Sequence, residues 1–202
     1  MKSVILTALL VVCLGSSAMA ETVVSLSAST PSSQEVQDNQ IVNLAVFKLT
    51  MNDDISLTEF SVKCNSASAV NWLALIDRQT NNYLGMAPGS HIDVLQDTAI
   101  YEFQGLALNM DIYITRNLAV QASLAANVPY GTKVRVGIYE SEYISATNRT
   151  TGNPETILLP YSPVLGNTIT VVPEPSTILL LAIGAIGFAI WRKVKRKNIC
   201  QF

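Results

Sequence analysis

Histidine is almost absent from this chain. Among 202 residues there is one histidine, His91, in the stretch PGSHID. A zinc site usually takes several His or Cys ligands, and a catalytic triad needs a nucleophile and a carboxylate matched to its base, so a lone histidine predicts neither. The motifs G-x-S-x-G and H-E-x-x-H and the P-loop are also missing. The sequence therefore predicts no enzyme, no catalytic residue, no metal site and no cofactor.

Cysteine is scarce too, and the three cysteines fall in different parts of the chain. Cys13 lies in the apolar N-terminal stretch, Cys64 in the middle and Cys200 near the C-terminus. Val12 precedes Cys13 where a lipidation signal has a small residue, so lipidation is not expected. Cys64 is then the only cysteine of the middle segment, which excludes an intramolecular disulfide there and predicts a buried apolar side chain.

Positive charge is lacking in the middle of the chain. Residues 21–172 contain 7 Lys and Arg against 14 Asp and Glu, a net charge of −7. A basic cluster follows near the C-terminus: Arg192, Lys193, Lys195, Arg196 and Lys197. Because nucleic-acid recognition depends on clustered Lys and Arg facing phosphates, the acidic middle segment predicts no nucleic-acid partner.

The N-terminus has the pattern of a targeting segment. Within residues 1–20 a basic residue is followed by an apolar stretch from Val4 to Leu14 and then by Ala18 and Ala20 on either side of a methionine. This A-x-A pattern predicts a signal peptide, exported through the Sec machinery and cut by signal peptidase between Ala20 and Glu21. An uncleaved membrane helix is disfavoured, because the apolar stretch is too short for about 30 Å of hydrocarbon.

A second apolar segment lies near the C-terminus. From Ile178 to Trp191 there are 14 residues without a charge, about 21 Å as a helix against a hydrocarbon core of about 30 Å. Extension back to Glu174 gives about 27 Å. By the positive-inside rule, the basic cluster keeps the C-terminus in the cytoplasm and places the middle segment outside. We therefore predict a single C-terminal transmembrane helix, although its length is marginal for a permanent anchor.

Residues 21–172 alternate apolar and polar positions, which predicts β-strands. In VSLSAS, for example, Val24, Leu26 and Ala28 share one face. The predicted strands lie near residues 22–29, 41–51, 55–64, 70–77, 98–104, 112–125, 132–145 and 165–172. Short strands separated by turn formers predict one all-β domain, an immunoglobulin-like antiparallel β-sandwich. The term describes a shape, because the Cys-Trp-Cys pattern of immunoglobulins is missing.

Two loops of this domain contain oxygen ligands that suit calcium. They are Asn52-Asp53-Asp54 and the stretch that holds Asp93 and Asp97. Their spacing does not fit an EF-hand, so a turn role is the preferred interpretation.

Aromatic residues suggest a second kind of site. Trp72, Tyr83 and Tyr101 could form a platform for a polysaccharide, although aromatic residues in strands more often pack in the core. Asn148-Arg149-Thr150 also matches an N-glycosylation sequon in a polar stretch that is predicted to be an exposed loop.

Two prolines precede the second apolar segment. Pro173 and Pro175 flank Glu174; each proline fixes φ, lacks an N–H and favours an extended geometry in the residue before it. Proteases bind extended backbones, so this segment has the form of a cleavage region just outside the membrane.

In order, the triplet Pro173-Glu174-Pro175, the apolar helix and the basic cluster resemble a PEP-CTERM sorting signal, over residues 173–202. The resemblance implies that an exosortase, a membrane protease with its own cysteine nucleophile, recognises the Pro-Glu-Pro region and removes the tail. It also implies an exported bacterial protein of the cell surface or extracellular matrix, with exopolysaccharide as a candidate partner. Two alternatives stay open: a surface-displayed carbohydrate- or calcium-binding module, and a permanently anchored single-pass membrane protein.

Overall fold

The computed structural model describes residues 21–173 and 180–188, apart from the side chain of His91. In chain order the strands are β1 (Glu21–Leu26), β2 (Gln34–Val36), β3 (Ile41–Thr50), β4 (Ile55–Asn65), β5 (Val70–Asp77), β6 (Asn82–Ala87), β7 (Ser90–Asp93), β8 (Thr98–Met110), β9 (Thr115–Leu124), β10 (Lys133–Ile138), β11 (Ile144–Asn148), β12 (Thr156–Leu158), β13 (Val164–Leu165) and β14 (Ile169–Val171). Short 3-10 helices lie at Ala67–Ala69 and Ser141–Tyr143.

The strands form two sheets. The first sheet has the order β12-β1-β3-β9-β5-β6. The second has the order β2-β14-β10-β4-β8-β7, with β11 paired to β4 and β13 paired to β10. Neighbours in each sheet are often distant in sequence, so the fold depends on long-range pairing.

The core lies between the inner faces of the two sheets. Phe47 of β3 and Phe60 of β4 are both fully buried, and their ring centroids lie 5.7 Å apart with the planes tilted by 56°. This offset, tilted contact is a favourable geometry for an aromatic pair and joins the two sheets at the centre of the domain. The prediction of an all-β, sandwich-like domain is confirmed.

The expectation that all strands pair antiparallel is wrong at two places. β1 pairs with β12 in parallel, and β14 pairs with β2 in parallel. A parallel pair needs a long connection between its strands, and both pairs join segments from opposite ends of the domain. Alternation along a strand reveals which side chains share a face but not the direction of the neighbouring strand.

The strand boundaries differ from prediction at several places. The predicted strands at 132–145 and 165–172 are each two strands, β10 with β11 and β13 with β14. The predicted strand at 98–104 continues to Met110 as β8. The prediction has no strand at β6, nor at β2, β7 and β12, whose three or four residues are too few to establish a periodicity.

Residues 180–188 form a helix whose side chains are exposed. They belong to the predicted transmembrane helix. Within the described parts of the chain, no helix has both the length and the apolar character that crossing a membrane requires. The transmembrane helix therefore stays a prediction from the sequence.

Candidate functional site

The last strand leads directly into the Pro-Glu-Pro region. The Val171 amide donates to the carbonyl of Thr132 over 2.9 Å, and the Val172 amide donates to the carbonyl of Val36 over 2.8 Å. Pro173 comes next in the chain. The second sheet therefore holds the backbone up to the residue before the triplet.

Most of the predicted targeting residues lie outside the described ranges. They are Ala18, Ala20, Glu174, Pro175, Ile178, Trp191, Arg192, Lys193, Lys195, Arg196 and Lys197. Glu21 is described as the first residue of β1, where it pairs with Thr156. The signal-peptide cleavage site and the limits of the membrane span stay predictions.

One end of the sandwich surrounds the point where the chain leaves the domain. We call it the tail end and define it by the loops 37–40, 66–69, 94–97 and 125–132 together with Val172. Backbone hydrogen bonds join these loops to each other: the amide of Ala125 donates to the carbonyl of Ala69, that of Asn39 to Ala125 and that of Gly131 to Val171. The loops therefore form one connected surface.

Left-handed backbone conformations fix the shape of the tail end. Asn39, Ser66, Asp97, Asn127 and Gly131 have φ between 51° and 85°. Asn, Asp and Gly are the residues that adopt this conformation most readily. Its use in all four loops lets the chain turn sharply without lengthening them.

A cleft of about 600 Å³ opens at the tail end, between the 3-10 helix Ala67–Ala69 and the β7–β8 hairpin. Most of its lining is apolar, and includes Val70, Ile92 and Val94. Asp97 joins the two walls, because its carboxylate accepts hydrogen bonds from the Ser68 amide (2.8 Å) and hydroxyl (2.9 Å). This clamp holds the hairpin in a fixed position against the helix.

Tyr101 lies against this cleft and not in an aromatic platform. Only 1% of the residue is exposed, and it lies on β8 among buried neighbours. A Cβ atom on Gly89 would be 3.2 Å from Tyr101 Cζ and from the Ala99 Cβ, so the glycine leaves room for the ring. Burial raises the pKa of Tyr101, and the nearby Cys64 and Asp97 raise it further. The hypothesis that Tyr101 binds a sugar together with Trp72 and Tyr83 is therefore wrong.

Cys64 is a buried free thiol, as the sequence predicts. Its Sγ donates to the carbonyl of Asn65. Burial raises the pKa of the thiol, and the negative charge of Asp97 adds to the effect. A protonated, enclosed thiol is a poor nucleophile and a poor metal ligand.

Trp72 and Tyr83 lie on the outward face of the first sheet. Leu73 and Leu75 of β5 point into the core, so the alternate residues of β5 face outward. Tyr83 of β6 is 57% exposed, and its hydroxyl lies 3.3 Å from Gln121 Oε1 of β9, to which it donates. Met86 is exposed on the same strand. The two aromatic residues therefore share a sheet face with an amide.

The carboxylates proposed as calcium ligands already accept hydrogen bonds from the protein. Asp53 accepts from the Asn148 side chain (3.0 Å), and Asp54 accepts from the Ile112 amide (2.6 Å). Asp93 accepts from the amides of Leu95 and Gln96. In the part of the chain that the structure describes, no group of three or more His, Cys, Asp or Glu side chains could hold a metal ion. These residues act as loop caps, which is the turn role preferred from the sequence.

The sequon residue Asn148 is not in an exposed loop. It is 9% exposed and ends β11. Its side-chain nitrogen donates to Asp53, while its oxygen accepts from the amides of Thr150 and Thr151. These three contacts give Asn148 a structural role in holding the turn after β11.

Sequence reasoning missed the tail end as a surface. Its loops come from four separate parts of the chain, and the clamp between Ser68 and Asp97 joins residues 29 positions apart. The turn residues in each loop were visible, but the pairing of the loops follows from the sheet topology alone.

Comparison with solved structures finds distant similarities. The chain is similar to the sixth cohesin of scaffoldin B from Acetivibrio cellulolyticus (11% identity, TM-score 0.38, covering 76% of this chain and 99% of the cohesin). It is similar also to the seventh ScaB type I cohesin from Pseudobacteroides cellulosolvens (10% identity, TM-score 0.41, covering 76% and 94%). At these scores the similarity assigns neither a partner nor an activity. No curated protein matches the chain significantly.

The C-terminal resemblance is tested directly by comparison with protein families. The matching family model begins at the last residue of β14 and extends through the apolar segment into the basic cluster. Such a motif indicates an exported protein that an exosortase sorts. The chain thus carries, at residues 171–196, the PEP-CTERM protein-sorting motif.

Proposed function

We propose that this protein is a non-enzymatic structural component of the bacterial cell surface or extracellular matrix. In this proposal signal peptidase removes residues 1–20, the C-terminal helix tethers the domain outside the inner membrane, and exosortase then removes the tail. The released or surface-attached sandwich associates with exopolysaccharide in a biofilm. No cofactor takes part.

The sorting motif carries this proposal. It lies directly after a folded β-domain, with the second sheet holding the backbone up to Val172. A domain delivered in this way arrives outside the membrane as a complete unit, because all its strands precede the triplet. The acidic charge of residues 21–172 also suits a soluble exported module.

Mass spectrometry of the mature C-terminus tests the sorting step. We expect the tail to be lost in a host with exosortase and retained when exosortase is deleted. A variant with Pro173, Glu174 and Pro175 all replaced by alanine should keep its tail in both hosts. Pro160→Ala, outside the motif, is the matched control and should be processed normally. An intact tail at full abundance in the exosortase-positive host would refute the proposal and favour a permanent anchor.

The outward face of the first sheet favours one specific alternative, a carbohydrate-binding module. Tyr83 and Trp72 supply rings for stacking against sugar faces, and Gln121 supplies hydrogen-bonding groups beside Tyr83.

Glycan-array screening followed by calorimetric titration tests this alternative. Loss of one stacking ring in Tyr83→Ala is expected to weaken binding by about 2- to 10-fold. Tyr161→Ala removes an exposed tyrosine just beyond β12, the edge strand of the first sheet farthest from β6, and should leave binding unchanged. Absence of saturable binding to any glycan on the array would exclude this function for the glycans tested, and equal losses in both variants would exclude this face as the site.

A further inference from the structure

The tail end carries exposed apolar side chains beside the point where the chain leaves for the membrane. Leu95 and Val94 form the tip of the β7–β8 hairpin and are 98% and 84% exposed. Tyr130 is also exposed, and the amide of its neighbour Gly131 donates to the carbonyl of Val171. A tyrosine thus lies next to β14, which we call the exit strand because the chain leaves the domain after it, with an aliphatic hairpin tip at the same end.

The length of the connection limits how far this surface can be from the membrane. The five residues from Pro173 to Thr177 separate the domain from the predicted start of the span at Ile178. Fully extended, five residues cover about 17 Å, and the lipid headgroup layer takes about 5 to 7 Å of this distance. Val172, where the chain leaves the domain, is therefore held within about 10 Å of the headgroups as long as the tether is intact.

We propose that Leu95 and Tyr130 contact a zwitterionic lipid surface while the chain is tethered, so that the tail end of the domain rests on the membrane. This inference depends on the tethering step of the proposed function. Tyrosine is enriched at membrane interfaces because one end of its side chain is apolar and the other polar. Leucine and valine at the hairpin tip gain from leaving water.

The hairpin tip is suited to such a contact because two of its backbone amides already have hydrogen-bond acceptors within the protein. Asp93 accepts the amides of Leu95 and Gln96, so two turn donors do not need water. Asp97 fixes the tip against the 3-10 helix through Ser68. A tip ordered in advance loses little conformational freedom when it meets a surface.

Charge favours zwitterionic over anionic lipids. The tail end contains the carboxylates of Asp38 and Asp97, and Asp93 ends β7 directly beside it; an anionic surface would repel all three. Lys133 also lies at this end, as the first residue of β10. The carboxylates outnumber this cation.

Exposure alone does not identify the membrane-facing side, because Tyr113 at the opposite end is 82% exposed. Its position follows from β4, since Ile55 begins that strand opposite Met110, whereas Asn65 ends it opposite Thr98 at the tail end. The short tether distinguishes the two ends. Tyr113 therefore serves as a control of similar exposure.

A fluorophore whose emission depends on its surroundings tests the proposal on the chain from Glu21 to Phe202, which keeps its C-terminal tail. In a Cys200→Ser background, the variants Leu95→Cys, Tyr130→Cys and Tyr113→Cys are each labelled with nitrobenzoxadiazole, while the buried Cys64 stays unreacted. The chains are inserted into phosphatidylcholine nanodiscs at one chain per disc. We expect a blue shift and reduced iodide quenching at positions 95 and 130 but not at 113. Thermal melting of each labelled chain verifies that it is folded.

Three outcomes overturn the proposal. Equal, water-like emission at all three positions in chains that co-purify with the discs refutes the contact and leaves the tether intact. Failure of the chain to co-purify with the discs refutes the tether and the contact together. A shift seen only when several chains share a disc shows contact with a second copy instead of lipid.

Discussion

Replacement of Gly166 by alanine tests how tightly the exit strand is packed against the rest of the sandwich. Gly166 is buried between β13 and β14 and donates its amide to the Val136 carbonyl over 2.9 Å. A Cβ atom there would lie 2.7 Å from the Ala45 Cβ and 2.9 Å from the Leu44 carbonyl oxygen. Neither atom can rotate away, because the Leu44 oxygen belongs to the backbone and the Ala45 Cβ is bonded directly to the backbone.

The expected loss of stability in Gly166→Ala follows from the need to move β3 or the exit strand. Inserting a methyl group into a well-packed region costs about 1 to 3 kcal/mol. The rigid neighbours place Gly166→Ala near the upper half of that range. For a domain of this size, 2 kcal/mol lowers the melting temperature by about 4 to 8 °C. Circular dichroism of the full chain in mild detergent, followed through the β-sheet band, measures the change.

Gly85→Ala is the matched control for this experiment. The added Cβ would meet Phe103 Cδ1 at 3.6 Å, an ordinary contact distance. Alanine restricts the unfolded chain, so we expect a change between zero and about 1 kcal/mol of stabilisation. If Gly166→Ala melts at the same temperature as Gly85→Ala, the packing of the exit strand against β3 is looser than the distances of 2.7 and 2.9 Å imply.

Three further predictions concern titratable groups. In a Cys200→Ser background, Cys64 should not react with a thiol reagent at pH 8 until the domain is unfolded by urea, because burial raises its pKa; rapid reaction of this folded variant would contradict the prediction. Burial raises the pKa of Glu155, so the contribution of its protonated carboxyl to stability is lost as the pH rises through that pKa. Glu155→Gln, which stays neutral, should therefore raise the free energy of unfolding more at pH 7 than at pH 4. An equal effect at both pH values would argue against this. Asp97→Ala removes both acceptors of the clamp, so it should cost about 1 to 3 kcal/mol and speed hydrogen exchange at the Ser68 amide, whereas unchanged exchange would show that the clamp is not formed.

Most of the long strands could be predicted from the sequence because apolar and β-branched residues run along them between turn formers. β5 (Val70–Asp77) has the predicted limits, although Ala74 and Ile76 on its outward face are buried together with Leu73 and Leu75 on its inward face. Alternation identifies Tyr101 as a core residue, because Ala99 and Phe103 on either side of it along β8 are also buried. The aromatic-platform hypothesis relied on Tyr101 being aromatic and did not use this alternation along β8.

The sheet pairing and the tail end could not be predicted because they depend on contacts between distant segments. Nothing in the three residues of β14 shows that they pair with β2 in parallel. Likewise, Asp97 looks like an ordinary turn residue until β4, β5 and β8 bring its carboxylate to Ser68. Local patterns determine which residues are buried, whereas the identity of the neighbours depends on the global topology.

The first proline of the sorting triplet also has a structural role in the domain. Val171 donates its amide towards β10 and Val172 donates towards β2, so by strand alternation the next residue would donate on the β10 side. That residue is Pro173, which has no N–H. The second sheet therefore cannot extend along this chain beyond Val172 on that side. Pairing of this chain with β10 therefore stops at the residue where the Pro-Glu-Pro triplet begins.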